Sequence, residues 1–350
     1  MFEFVYILIN VPRKKNFEKP LYSDKDGIRF ATPKIVAEYR AKRLKCKTLA
    51  DISCGIGGQT IFFAKECDLV YAIEIDPKKI EYARKNCELH DIDNVIFICG
   101  DALSPDVIEQ IPKVDVIFSD PARPAEEKKR KVISLEPGIP NVISAYSDKA
   151  DNFVFEAPPQ MPPERIQFDC EREYLSLDGQ LNRLTLYFGN LKQCERSAVS
   201  LPDGAYIGST DITYDVKETQ NIKRYAYEPQ PSVVKAEMLP QLAGSIKKDI
   251  ANVDVELFKI DKKRLLLTSN TQFKNAMMKH NYSVFQVTDF EPEAINSILK
   301  RHDVGTVVLR AGVDPADYWT IRNEIENGLS GENTIHLFVK DEKAILCEVI

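Results

Sequence analysis

Three glycines and three carboxylates between residues 51 and 120 carry the chemistry that can be read from this sequence. The glycines, Gly55, Gly57 and Gly58, lie in DISCGIGGQT at 51 to 60, between a run patterned as a strand and one patterned as a helix. Such a turn bends tightly and lets a ligand reach the backbone where no Cβ intervenes. Alone it marks any dinucleotide-binding fold, or a plain connector. Glu74 closes the apolar run VYAIEI, where a carboxylate can accept from both hydroxyls of an adenosine ribose. Asp101 follows VIFICG, where it can accept from the adenine amine while the Ala102 amide donates to the ring. Asp120 follows VDVIFS, at a strand end of the kind where open α/β sheets bind their ligands. Taken singly, Glu74 and Asp101 read as solvated strand ends and Asp120-Pro121 as a turn initiator. Their joint placement around the glycine turn points to an adenosyl cofactor. A nicotinamide cofactor is disfavoured, because the loop is GxGG and not GxGxxG and Asp101 has no routine role in such an enzyme.

These residues need a scaffold that brings strand ends together. TLADISC, LVYAIEI, VIFICGD, VDVIFSD and NFVFEAP read as strands, GQTIFFAKE and PKKIEYARKNCELH as helices, and apolar strands interleaved with helices predict a mainly parallel, doubly wound sheet. Upstream, FATPKIVAEYRAKRLK at 30 to 45 predicts a helix with Thr32 as N-cap and Pro33 at its first position. From 166 to 210 the strands EREYLSL, LNRLTLYF and RSAVSL, separated by Asp178-Gly179 and closed by Pro202-Asp203-Gly204, predict an antiparallel sheet edge. The polar stretch 211 to 223 sets a domain boundary. Beyond it come a helix over 231 to 244 interrupted by Pro240, a strand LLLTS, and then a βαβαββ run: SVFQVTDF, EPEAINSILKRH, GTVVLRAG, DPADYWTIRNEI, IHLFV and AILCEVI. The expected organisation is an N-terminal segment 1–47, an α/β core 48–215 and a smaller α+β domain 222–350.

Composition narrows the function classes. With 350 residues, 44% hydrophobic and 29% charged, the chain has apolar material for two cores. A net charge of −6 excludes a surface that is basic all over, so contact with nucleic acid has to be local. The eight cysteines form no CxxC pair and only four histidines accompany them, so neither a metal site nor a disulfide framework is expected, and the thiols read as small buried hydrophobes in a reducing cytoplasm. The opening MFEFVYILIN reads as a strand and not as a signal peptide or membrane span, which would need about 20 apolar residues.

The cofactor residues together resemble the class I methyltransferases. That resemblance implies a Rossmann-like fold with S-adenosylmethionine as cofactor, Asp51 and the glycines holding its methionine part, Glu74 its ribose and Asp101 its adenine. Ser53, Ile75 and Ala102 complete the expected contacts of this loop and these strand ends. RFATPKIVAEYRAKRL, DISCGIGGQTIFFA, AIEIDPKKIEYARKN and VIFICGDAL are similar to the trimethylguanosine synthase type of RNA guanine-N2 methyltransferase, which implies that Phe30 and Thr32 fold over the cofactor. That family has Pro-Pro-Trp where this chain has Pro121-Ala122-Arg123, so cap recognition is not expected. DPAR at 120, ISLEP at 133, EYLSLDGQLNRLTLYFG at 173 and YEPQPSVVKA at 227 are similar to bacterial and archaeal methyltransferases that carry a C-terminal THUMP-like domain.

Asp120, Pro121 and Arg123 are therefore the candidate catalytic residues. Asp120 would accept hydrogens from an exocyclic amine such as guanine N2, or orient the base for transfer to N7. Arg123 would stack on a base or bind a phosphate, or simply pair with Glu126 or Glu127. RNA, tRNA in particular, is the expected substrate. Lys247, Lys248, Lys262, Lys263 and Arg264 are the expected phosphate contacts in the C-terminal domain, and Arg13 to Lys15 and Lys128 to Lys131 are further basic clusters. The alternatives are a protein or small-molecule methyltransferase and a cofactor-binding protein without turnover.

Overall fold

The computed structural model describes residues 8–9, 17–121, 135–262, 264–314 and 316–350. The chain divides into two compact units, Met1–Gly204 and Ala205–Ile350. In the first unit, a short antiparallel pair, β1 (Leu8–Ile9) and β2 (Leu21–Tyr22), and two helices, α1 (Lys25–Phe30) and α2 (Lys34–Arg43), precede the sheet. Then come β3 (Thr48–Asp51), α3 (Thr60–Glu66), β4 (Leu69–Glu74), α4 (Pro77–Leu89), β5 (Val95–Cys99), α5 (Pro105–Glu109), β6 (Val116–Ser119), α6 (Ile139–Ala145) and β7 (Phe153–Ala157). β8 (Glu171–Leu177), β9 (Gln180–Tyr187) and β10 (Arg196–Leu201) end the unit.

Within this unit the strands lie in the order β10-β8-β9-β7-β6-β3-β4-β5. β3 pairs in parallel with β4 and β6, β4 with β5, and β6 with β7, so Asp51, Glu74, Ser119 and Ala157 all end their strands at one edge. The central strands have nearly continuous buried apolar runs, as a sheet covered on both faces requires: Val70, Tyr71, Ala72 and Ile73 are all buried. The expected α/β class with a mainly parallel sheet is what is found. Six of the cysteines are buried, Cys46 is half-buried and Cys99 is exposed.

Three local expectations are corrected. The helix after Phe30 begins at Lys34, and Pro33, with φ −56° and ψ 140°, is its N-cap and not its first residue. Its carbonyl accepts from the Val36 and Ala37 amides, while the Thr32 hydroxyl accepts from Arg183 Nη2 at 3.4 Å and caps nothing. The edge is only partly antiparallel: β8 and β9 form an antiparallel hairpin through Asp178 (φ 50°) and Gly179 (φ 70°), but β10 runs parallel to β8. β9 ends level with the start of β8, so a short return starts β10 there, on the free side of β8. The helix over 231 to 244 breaks ahead of Pro240: α7 (Pro231–Lys235) stops before Glu237 (φ 58°), and α8 (Leu239–Asp249) carries Pro240 in its first turn, where a missing N–H costs no bond.

The second unit also contains β11 (Ala205–Gly208), β12 (Glu218–Thr219), β13 (Tyr225–Pro229), β14 (Glu256–Lys259), β15 (Leu265–Ser269), β16 (Met278–Asp289), α9 (Pro292–Leu299), β17 (Val304–Arg310), α10 (Tyr318–Glu326), β18 (Asn333–Lys340) and β19 (Lys343–Val349). From β16 onward this is the expected βαβαββ order. Its sheet runs β12-β14-β15-β13-β16-β19-β18-β17. Ile295, Leu299 and Ile325 of the two helices pack with Val307, Leu309, Ile335, Leu337 and Leu346 in one core, while Tyr282, Phe338, Ile345 and Cys347 form another with Phe258 and Leu266. Alternation along β18 explains the division, since successive side chains of a strand point to opposite faces.

Candidate active site

The turn after β3 is shaped by two glycines with different tasks. Gly55 has φ 56° and open space where a Cβ would stand, so a ligand can lie against its backbone. Gly57, at φ 81°, packs on α4: a Cβ there would meet the Ala83 Cα at 3.0 Å. Of the ten expected cofactor contacts, Thr32, Asp51, Ser53, Gly55, Glu74, Ile75, Asp101 and Ala102 line one cavity of about 1070 Å³. Gly57 and Phe30 are not among its lining residues, and the Phe30 side chain lies outside the described set. The volume reaches the upper end of the range of roughly 300–1,000 Å³ for small-molecule sites, leaving room for a second group beside a cofactor.

The carboxylates are held by backbone amides. Glu74 Oε2 accepts from the Gly55 amide at 2.9 Å and Oε1 from the Asp76 amide at 3.0 Å, which ties the end of β4 to the glycine turn. Asp101 Oδ1 accepts from the Leu103 amide at 2.9 Å. The Tyr146 hydroxyl, from beyond α6, donates to the Ala102 carbonyl at 2.6 Å and so fixes this loop; burial pushes that phenol up to about 12. Ile75 is 66% exposed, an apolar surface beside the cavity able to cover one face of an adenosine. Asp51 is buried, accepting from Thr60 Oγ1 at 2.8 Å and the Ser53 amide at 3.4 Å. Burial raises its carboxyl to about 7 against these two bonds, and the nearby charges of Asp120 and Glu74 add to the rise. A cationic ammonium or sulfonium would relieve that penalty, so these residues fit the expected cofactor.

Asp120 stands at the carboxyl end of β6, its amide donating to Ser53 Oγ at 2.6 Å, and with Pro121 it lines the same cavity. Arg123 lies outside the described residues, as do Arg13 to Lys15 and Lys128 to Lys131. The far wall holds residues that the sequence reading missed: Glu136, Glu156, Asn182 and Arg183. Glu156, buried at the end of β7, joins Arg40 of α2 in an ion pair and meets Arg183 Nε at 3.2 Å. Arg40 also donates to Gln59 at 2.7 Å. Burial alone would lower the Arg40 pKa, but Glu156 and other carboxylates raise it, so the guanidinium stays charged and locks α2 onto the sheet. Asn182 carries a buried Oδ1 with no partner. The signal that could have found this wall is the alternation of β9, LNRLTLYF, which sets charged Arg183 in a run otherwise headed for the core.

The expected phosphate contacts lie in the second unit and do different things. Lys247 Nζ stands 3.3 Å from the Tyr214 ring centroid, and Arg264 is tied to Asp261 at 3.1 Å and to the Ala311 carbonyl at 2.9 Å. Lys248 and Lys262 are exposed, and Lys263 lies outside the described residues. Among those residues no helix is long and apolar enough to cross a membrane.

Residues 46–191 match a family model described as RNA cap guanine-N2 methyltransferase. An uncharacterised S-adenosylmethionine-dependent methyltransferase of Mycobacterium tuberculosis is 25% identical over 222 residues, 62% of this chain and 59% of that one. An uncharacterised RNA methyltransferase of Halalkalibacterium halodurans is 35% identical over 95 residues, 26% of this chain and 21% of that one. The chain thus spans 59% of the length of the mycobacterial relative. A crystal structure of a methyltransferase assigned as such by similarity, from Porphyromonas gingivalis, superposes with a TM-score of 0.73 at 16% identity, covering 94% of this chain and 83% of that one. The first unit has the Rossmann-like methyltransferase fold.

Proposed function

We propose that this S-adenosylmethionine-dependent methyltransferase modifies RNA at a guanine nitrogen, with tRNA as its substrate. The observation that carries the reading is one cavity with two differently equipped sides. On one side stand the glycine turn, Glu74, Ile75 and Asp101; on the other, Asp120, Glu136, Glu156 and Asn182. The second side is rich in acceptors, and a guanine presents N1–H and N2–H₂ donors along a single edge.

The cofactor supplies an electrophilic methyl group on a sulfonium. The chain's contribution is placement: Glu74 would accept from the ribose hydroxyls, Asp101 and the Ala102 amide would hold the adenine, and Asp51, when ionised, would favour the cationic methionine part. Asp120 would accept hydrogen bonds from the substrate amine, orienting its lone pair, and would take up the proton that the nitrogen gives up when the new N–C bond replaces the S–C bond and the sulfur leaves as a neutral thioether, so no covalent nucleophile is needed. N2 is favoured over N7 because an exocyclic amine gives Asp120 hydrogens to accept, and the description of the matched family agrees. Pro121 shapes the turn that presents Asp120, and Arg123 stacks on the base or holds a phosphate. The second unit is read as a THUMP-like module gripping RNA through Lys247, Lys248, Lys262, Lys263 and Arg264, and the protein as cytoplasmic.

The test is to incubate the protein with methyl-labelled cofactor and fractionated cellular RNA, then digest to nucleosides. Label in N2-methylguanosine from the tRNA fraction is the expected result. Label in N7-methylguanosine would correct the position. Label in protein or small molecules alone would overturn the substrate.

A further inference from the structure

We propose that Arg310, with His280 and His336 beside it, forms a phosphate-binding site on the sheet of the second unit, and that its ligand is a phosphodiester of the RNA backbone. Arg310 is a residue not named among the basic contacts above, although Arg264 of that set bonds the carbonyl of the adjoining Ala311, and the site rests on the RNA reading only for the source of the phosphate.

The register brings the residues together. Val308 pairs with His336 across β17 and β18, so Arg310, two residues on, shares a face with His336. The His336 Nδ1 lies 3.0 Å from the Tyr282 hydroxyl, and the His280 and His336 rings stand 5.6 Å apart. Arg310 is half-buried, and its Nε is enclosed with no hydrogen-bond partner among the described residues. The carboxylate of the cluster is already engaged: Glu228 meets Lys279 Nζ at 3.3 Å and accepts from the Tyr282 hydroxyl at 3.3 Å. With Lys279 and Glu228 cancelling, the guanidinium leaves one positive charge uncompensated.

Arg310 as a whole is only half-buried, and the planar fork of arginine matches the oxygens of a phosphate. The histidines register the same field. His336 is 8% exposed and its pKa is lowered to about 4, by burial first and then by Arg310 and His280. His280 is lowered by burial, with Lys279 and Arg310 acting against Glu228. The cluster does not suit a metal, since among the described residues no three ligating side chains converge.

The chain has four histidines, at 90, 280, 302 and 336, so imidazole NMR of the whole protein reads the site directly. Titration with inorganic phosphate, against chloride at matched ionic strength, should move the His280 and His336 signals in a saturable way and leave His90 and His302 still. Arg310→Gln should weaken that response by about tenfold or more, as for one hydrogen-bonded charge, while Arg310→Lys, which keeps the charge and loses the fork, should fall between. Equal movement in chloride, or a response unchanged in Arg310→Gln, would overturn the site. A short single-stranded oligoribonucleotide should move the same two signals and displace inorganic phosphate. Phosphate binding without any response to the oligonucleotide would overturn the RNA backbone as its source. The labelled-methyl assay is run separately, so RNA methylation by wild-type protein that shows no such phosphate response would sink the site and leave the substrate reading standing.

Discussion

The carboxyl edge of the first sheet and the His336 face of the second differ in the charge they gather. The first gathers Asp51, Glu74, Asp101, Asp120 and Glu136 around one cavity; the second sets His280 and His336 beside Arg310, whose Nε has no acceptor among the described residues. Acceptors suit a cationic cofactor and the N–H edge of a base, whereas donors suit phosphate. Both charges are local, and in the net charge of −6 they are invisible. A composition that argues against a basic protein is therefore compatible with a nucleic-acid contact confined to a few residues.

The largest expected effect is at the acidic site. Asp120→Ala should keep cofactor affinity, measured by calorimetry, and lower turnover by at least roughly a hundredfold, the lower end for removing a positioned acid or base. Loss of cofactor affinity in parallel would make Asp120 a scaffold residue and blur the two sides of the cavity. Glu74→Ala should weaken cofactor binding by about 1.5–3 kcal/mol, the range for a hydrogen bond to a charged group. Unchanged affinity in that variant would remove the ribose assignment.

Asp51 makes the comparison dependent on pH. Its carboxyl is raised to about 7 by burial, with Asp120 and Glu74 adding to the rise. A cationic ligand prefers the ionised form, so cofactor affinity should be full above pH 7 and fall below it by up to about tenfold per unit. Stability runs the other way. A carboxyl whose folded pKa lies above its unfolded value stabilises the fold at low pH, and this group's contribution is lost as pH rises from the ordinary carboxylate range through 7. Without ligand, Asp51→Asn should therefore flatten the decline of Tm between pH 5 and 8, and calorimetry on the same variant should show cofactor affinity independent of pH. A wild-type profile in Asp51→Asn would assign the titration to another group.

The smallest effect is expected at Lys262 and Lys263. Charge reversal at Lys262 and Lys263 should reduce the slope of log affinity for tRNA against log salt by about 0.7 to 0.9 per lost contact, with cofactor affinity as the folding control. Equal slopes would leave Arg310 as the basic feature of the second unit to be tested for RNA.

The legible part of the site is the part written in neighbouring residues. The glycine turn and the strand-end acids Glu74, Asp101 and Asp120 follow from local pattern, because a parallel strand buried on both faces is apolar until it reaches the edge. Thr32 shows the limit. A threonine before a proline is a fair N-cap on local grounds, yet Arg183, 151 residues away along the chain, bonds its hydroxyl instead.

The sequence by itself determined the α/β class, the strands of the parallel core, the βαβαββ order of the second unit and the glycine turn and strand-end acids that line the cavity, since each depends on the pattern within one segment. Tertiary structure alone decided the parallel pairing of β10 with β8, the Arg40–Glu156–Arg183 network at the cavity wall, and the placing of Arg310 on one face with His336. Those depend on which strands become neighbours, and a pleat of period two tells a side chain its face but not what it will find there.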